Sequence, residues 1–68
     1  MNYIWSVEKL TSLVRRQDPE VREWAMDKLA ALYPQAAPDA AVTLLNDKNG
    51  SVSGLAVDYL LEIGRAHV

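Results

Sequence analysis

The chain has 68 residues, a formal net charge of −2 and no cysteine. A chain of this length forms a single domain, residues 1–68, and the absence of cysteine excludes disulfides and thiolate metal sites. The slight negative charge argues against a nucleic-acid partner, because phosphate contacts favour a basic surface. No apolar run approaches the roughly 20 residues of a membrane span, and the N-terminus lacks a signal-peptide pattern, so we expect a cytoplasmic protein without membrane association.

The first predicted helix ends before Arg16 and presents its apolar residues on one face. Its start has two alternatives in the sequence. Ser6 is a suitable N-cap, whereas Asn2 would cap a longer helix that includes Tyr3 and Ile4. The apolar positions of this helix are Val7, Leu10, Leu13 and Val14.

A second helix is predicted between two prolines. Asp18 can accept hydrogen bonds from the free amides of the first turn, and Pro19 suits the first helical position because no N–H is needed there. Pro34 ends the helix, because the residue before a proline is pushed out of the α region. The apolar residues of this helix share one face and are Val21, Trp24, Ala25, Leu29 and Leu32.

Two further helices complete the chain. The third is predicted to begin at Pro38-Asp39 and to end near Asn46. The fourth follows a turn that begins with Asn49, and this helix is predicted to end at Gly64. No alternation of the kind that predicts strands is present, so the fold class is all-α. The apolar face of the fourth helix consists of Val52, Leu55, Ala56, Tyr59, Leu60 and Ile63.

The chain repeats its pattern at an offset of 31 residues, which places Val21 on Val52 (52 − 21 = 31) and Trp24 on Leu55. A fixed period between about 20 and 50 residues is typical of stacked repeats, which bury their apolar faces against neighbouring units. We therefore expect the repeated apolar positions to be among the most buried. These positions are Leu13, Leu29, Leu44, Ala56 and Leu60.

Residues 13–22 (LVRRQDPEVR), with Ala25 and Leu29 after them, resemble a HEAT repeat of the short bacterial type that also occurs in the phycobilisome-lyase-like group. That pattern has a leucine pair, a turn containing Asp-Pro, a Val-Arg pair, and then an alanine and a leucine on the second helix. The second copy keeps the apolar positions as Leu44, Leu45, Val52, Ala56 and Leu60.

The resemblance implies an α-α superhelix, or solenoid, of which this chain would hold two antiparallel helical hairpins. The first repeat would cover about residues 3–34 and the second about residues 37–64, with residues 65–68 as a tail or the start of a third repeat. It also implies a non-catalytic module for protein-protein interaction or scaffolding. Two alternatives stay open: a HEAT-like module that binds nucleic acid on a basic surface, and a bilin-lyase-like enzyme or chaperone subunit.

The resemblance further implies polar ties between adjacent repeats, made by an acid in the turn and an arginine early in the second helix. Asp18 and Arg22 occupy these places in the first repeat, whereas Asn49 and Ser53 occupy them in the second. Asp47 could still reach back to Arg22. The outward half of such a set of ties is therefore missing from the second repeat.

Aromatic and apolar residues are the candidate protein interface. Trp5, Trp24 and Tyr59 offer large amphipathic surface of the type that is enriched in interface hot spots. Val57 and Leu61 make the fourth helix apolar around nearly its whole circumference, which is typical of a helix buried on several sides. We therefore expect a homodimer or a longer repeat array through the C-terminal hairpin.

No group of side chains points to catalysis, to a cofactor or to a metal. His67 is the single histidine and has no orienting partner, and the carboxylates sit at helix starts or on helix faces. Lys9, Arg15 and Arg16 form, with Arg22, a basic group that could contact a phosphate or an acidic peptide. We expect a protein that is not an enzyme and that has no cofactor.

Overall fold

The computed structural model describes residues 5–66 and shows an all-α fold, as the sequence predicts. Its helices span Val7–Leu13 (α1), Pro19–Leu32 (α2), Ala37–Leu44 (α3) and Gly50–Ala66 (α4). Helix α1 packs against α2 to form hairpin 1, and α3 packs against α4 to form hairpin 2. Helix α2 also contacts both helices of hairpin 2, so it joins the two hairpins.

Side-chain caps begin three of the helices at the predicted places. The Ser6 hydroxyl accepts a hydrogen bond from the first turn of α1, which selects Ser6 over Asn2 as the cap; Asn2 lies outside the described residues. The Asp18 carboxylate accepts from the first turn of α2 at 2.9 Å. The Asn49 amide oxygen accepts from two backbone N–H groups of α4, at 2.9 and 3.2 Å. Each cap satisfies donors that a helix start would otherwise leave without partners.

The second helices of the two hairpins end differently, because only α2 is followed by a proline. Tyr33, which precedes Pro34, has a non-helical backbone, and α2 ends at Leu32 as predicted. The expected end of α4 at Gly64 is wrong, because the helix continues to Ala66. Arg65 stands where hairpin 1 has Pro34 (34 + 31 = 65), so nothing in the local sequence stops α4 at the same point.

Helix α3 differs slightly from the prediction at both ends. It begins at Ala37, with Pro38 in its first turn, and no side chain caps it. It ends at Leu44 rather than near Asn46. The proline is tolerated in the first turn because the N–H groups there have no partner within the helix.

The offset found in the sequence is also the offset of the structure. Helix α2 begins at residue 19 and α4 at residue 50, while α1 ends at residue 13 and α3 at residue 44 (19 + 31 = 50; 13 + 31 = 44). Residues 31 apart therefore hold corresponding places in the two hairpins, and we call them counterparts. Two hairpins with the same internal register can be compared position by position.

The core runs between all four helices, and it confirms part of the predicted interior. Leu29, Leu44 and Ala56 are buried, as expected, but Leu13 and Leu60 are only half-buried. Leu44 lies on α3, which packs against α2 of the other hairpin as well as against α4, whereas its counterpart Leu13 lies on α1, whose main contacts are with α2 of its own hairpin. The buried core consists of Leu10, Val14, Ala25, Met26, Leu29, Ala37, Ala40, Ala41, Leu44, Val52 and Ala56.

Leu29 and its counterpart Leu60 provide a matched pair for testing this core. Because Leu29 is fully buried, Leu29→Ala should lower the free energy of unfolding by about 2–5 kcal/mol. Leu60→Ala removes the same atoms from a half-buried site, so we expect about half that loss. Urea unfolding followed by circular dichroism measures both values. Equal losses for the two variants would contradict the difference in burial.

Candidate protein interface

Counterpart residues differ sharply in exposure on one side of the hairpins. Met26 on α2 is 1% exposed, whereas its counterpart Val57 on α4 is 42% exposed. Val14, just after α1, is 2% exposed, whereas its counterpart Leu45, just after α3, is 39% exposed. Hairpin 2 therefore covers this side of hairpin 1, and among the described residues nothing covers the same side of hairpin 2.

We call this uncovered surface of hairpin 2 the open face and define it by Leu45, Val57 and Leu61. Leu61 is exposed, and its counterpart Ala30 is half-buried and packs against the core. Leu61 and Val57 lie one turn apart on α4, so they form one apolar strip. Val57 and Leu61 were predicted from the sequence. Leu45 was not predicted as part of the interface, although the offset of 31 residues places it on Val14, an apolar residue of the first predicted helix.

On the opposite side of the molecule the difference in exposure is reversed, and the residue of hairpin 2 is the more buried counterpart. Val52 is fully buried against hairpin 1, whereas its counterpart Val21 is only half-buried. Trp24 lies on this side of α2, because residues two apart on a helix point about 200° apart and Met26 faces hairpin 2. The two ends of the molecule can therefore be distinguished by which counterpart is covered.

An aromatic cluster occupies the end at hairpin 1. The rings of Trp5 and Trp24 meet edge to face with centroids 4.9 Å apart, and the Lys28 ammonium lies 5.6 Å from the centre of the Trp24 ring. The Tyr33 hydroxyl donates a hydrogen bond of 2.8 Å to the Trp5 carbonyl oxygen. Both contacts of Trp24 are favourable beyond simple burial. Trp5 is thereby held against α2 and its C-terminal end.

The five residues predicted as an interface do not form one surface. Trp5 and Trp24 pair at the hairpin 1 end, and both keep about a third of their surface exposed. Val57 and Leu61 lie on the open face of hairpin 2. Tyr59 is half-buried and packs against the core cluster, so it belongs to the interior rather than to either end.

A polar tie joins the two hairpins at their turns. The Arg22 Nη2 donates to Asp47 Oδ1 at 2.8 Å, and Arg22 Nε lies 2.6 Å from Asp47 Oδ2 in an ion-pair contact that does not meet hydrogen-bond geometry. The Arg22 Nη1 donates to the carbonyl oxygens of Arg16 and Gln17 at 2.7 and 2.8 Å. Both charged side chains are largely buried, at 14% and 9% exposed. Arg22 therefore joins the turn of its own hairpin to the turn of the next.

Asp47 accepts a hydrogen bond within its own turn in addition to its contacts with Arg22. The Asp47 Oδ1 accepts a hydrogen bond of 2.9 Å from the Asn49 N–H, which fixes the turn that leads into α4. The hydrogen bond from Arg22 lowers the pKa of Asp47, and the Asn49 N–H acts in the same direction, while burial opposes both. The carboxylate is thus held in its charged form.

The other two members of the implied ties play local roles. The Asp18 carboxylate accepts from the N–H of Glu20 and so caps α2, and no bond from it to hairpin 2 is present among the described residues. Ser53, the counterpart of Arg22, donates from its hydroxyl to the Gly50 carbonyl oxygen within α4. The tie between the hairpins therefore runs from Arg22 to Asp47 rather than through Asp18, and hairpin 2 has Ser53 at the place that Arg22 holds in hairpin 1.

The two larger depressions on the described surface are shallow. A depression of about 550 Å³ along α1 and another of about 470 Å³ between the turns are open to solvent, and Arg15 and Arg16 line both. No described group of three or more His, Cys, Asp or Glu side chains is arranged to hold a metal ion. In the described part of the chain no helix has the length and apolar character to cross a membrane. His67 lies outside the described residues.

Comparisons with known proteins return no match. No family model matches the chain, and neither do any of the curated proteins or solved structures. The resemblance to HEAT repeats thus rests on the sequence pattern alone. The candidate interface rests on the geometry of this chain.

The tie between Arg22 and Asp47 should make the stability of the fold depend on pH. Because the pKa of Asp47 is lowered in the folded state, its contribution is complete above the unfolded-state value of about 4 and is lost as the pH falls through the folded-state value. Asp47→Asn cannot titrate and should cost about 2 kcal/mol at neutral pH. Urea unfolding at about pH 7, 5 and 3 should show the difference between the two proteins shrinking on acidification. A difference that does not change with pH would contradict the assignment.

Proposed function

We propose that this chain is a non-catalytic protein-binding or scaffolding module of the α-solenoid type, and that its open face receives a helical hairpin. The observation that carries the proposal is the exposure of counterparts, with Met26 at 1% and Val57 at 42%. In hairpin 1 this surface is a packing interface between repeats. In hairpin 2 the same surface is apolar and uncovered, and exposed contiguous apolar surface usually marks an interaction site.

The surface type supports a protein rather than a nucleic-acid partner. Leu45, Val57 and Leu61 are aliphatic, whereas a nucleic-acid surface is polar and strongly basic. The acidic side chains Asp58 and Glu62 are exposed beside this strip on α4 and would repel phosphates. The exposed Arg15 and Arg16 lie at the turn of hairpin 1 and not on α4. No specific observation favours the nucleic-acid or lyase-like alternatives.

An extended protein tests whether the open face accepts a hairpin. Residues 1–64 are followed by a second copy of the segment 34–66, which restores a proline at position 65 and keeps the offset of 31 (34 + 31 = 65). Ser53→Arg is included, so that the tie of Arg22 to Asp47 can form again with the copied Asp47. We expect the extended protein to unfold cooperatively at a higher temperature than the natural chain, because each added neighbour buries an apolar face.

The matched control carries aspartate at the copied positions of Leu44 and Val52. In hairpin 2 these side chains are 2% and 0% exposed, on the side that packs against hairpin 1. A charge there prevents the copy from docking while it leaves the first 64 residues unchanged. If the extended protein and this control melt at the same temperature as the natural chain, the open face does not accept a hairpin and the proposed function is wrong.

A further inference from the structure

At the hairpin 1 end of the molecule, aromatic and charged side chains of the chain itself occupy the outer surface. In hairpin 2, Leu55 and Tyr59 pack toward the core, while their counterparts in hairpin 1 are Trp24 and Lys28. Trp5 packs edge-on against Trp24, and the Lys28 ammonium lies over the same ring. A cationic and aromatic surface fixed in this way resembles the polar outer face of a terminal repeat. The open face therefore offers a second copy an uncovered aliphatic surface.

We infer that the open face binds the open face of a second copy of this chain, with α4 packed antiparallel to α4 across a two-fold axis. The inference rests on the proposed function, because it names the partner of the same surface. A two-fold contact is self-complementary and closes at two copies. It places the apolar strips at Leu45, Val57 and Leu61 of the two copies against each other.

Charges beside the strip suit this arrangement. Asp58 and Arg65 lie on the same flank of α4, about 80° and 60° from the middle of the strip formed by Val57 and Leu61. In an antiparallel pair related by a two-fold axis, the same flank of each helix lies beside that of its partner, and the two run in opposite directions. Arg65 of each copy therefore approaches Asp58 of the other. The ion-pair contact of Arg65 with Glu62 within α4 is long, at 3.7 Å, and both side chains are largely exposed, so it holds Arg65 in place only weakly.

The helix surface at the strip also permits close approach. A Cβ atom added at Gly54, next to Val57 on this side of α4, would meet no atom within 4 Å. Gly54 has no positive φ, so neither its backbone nor the packing of this chain requires glycine there. Glycine inside a helix is destabilising relative to alanine. A second helix lying against this position would make use of the missing side chain.

Sedimentation equilibrium of the 68-residue chain tests the inference. At tens of micromolar we expect a mass near twice the 7.6 kDa of one chain. A folded monomer at that concentration would overturn the inference, and so would a mass that rises beyond two copies, because that requires a head-to-tail contact. The extended protein then distinguishes a failure of this inference from a failure of the proposed function. If the chain is a monomer but the extended protein is stabilised, the open face accepts a hairpin but not a second copy.

Leu61→Glu and Val42→Glu are a matched pair of variants. Both side chains are 56% exposed, but Thr11, the counterpart of Val42, is exposed in hairpin 1, so Val42 lies outside the packing surface. Leu61→Glu should give a monomer and Val42→Glu should remain a dimer. Equal loss of the dimer in both would overturn the inference.

Charge exchange on the flank provides a test that does not disturb the apolar strip. Asp58→Arg and Arg65→Asp should each raise the dimer dissociation constant about fivefold at low salt. The double variant exchanges the charges and should return the constant to near the natural value. Circular dichroism confirms that each variant stays helical. If the double variant dissociates as readily as the single variants, the flanks do not adjoin and the two-fold arrangement is wrong.

Discussion

The packing of hairpin 2 on hairpin 1 is the interaction on which the rest of the structure depends. It buries Val14 and Met26 from one side and Leu44 and Val52 from the other. A domain of this size buries only a modest fraction of its surface, so neither hairpin has a sufficient core alone. The ion pair of Arg22 sets the relative position of the hairpins, because one guanidinium holds two carbonyl oxygens of its own turn and the carboxylate of the next.

The same interaction makes the two ends of the molecule different. A stacked repeat covers one side of each unit and leaves the other side to the next unit. At the hairpin 1 end the Trp5 and Trp24 rings and Lys28 occupy the outer surface. At the other end Val57 has the register of a buried residue and the exposure of a surface residue. The proposed binding role follows from this mismatch rather than from any group of reactive side chains.

The sequence predicts the features that local chemistry decides. Ser6, Asp18 and Asn49 cap helices because their side chains reach amides within three residues. Pro34 stops α2 for the same local reason, and the absence of proline at position 65 explains why the predicted end of α4 was wrong. Both halves of the sequence carry the same apolar pattern, so the sequence did not show that Leu13 and Leu60 are less buried than their counterparts. The contact of Trp5 with Trp24 joins residues 19 apart (24 − 5 = 19) and depends on how the chain packs.

The most direct test of this account compares counterparts Met26 and Val57 as single cysteines. The chain has no cysteine of its own, so each variant carries one reporter thiol. In dilute protein, where copies do not associate, the thiol of Val57→Cys should react with a thiol reagent at nearly the rate of a free peptide. The thiol of Met26→Cys should react many times more slowly, because hairpin 2 covers it. Equal rates at the two positions would contradict the claim that one repeat surface is buried in hairpin 1 and open in hairpin 2.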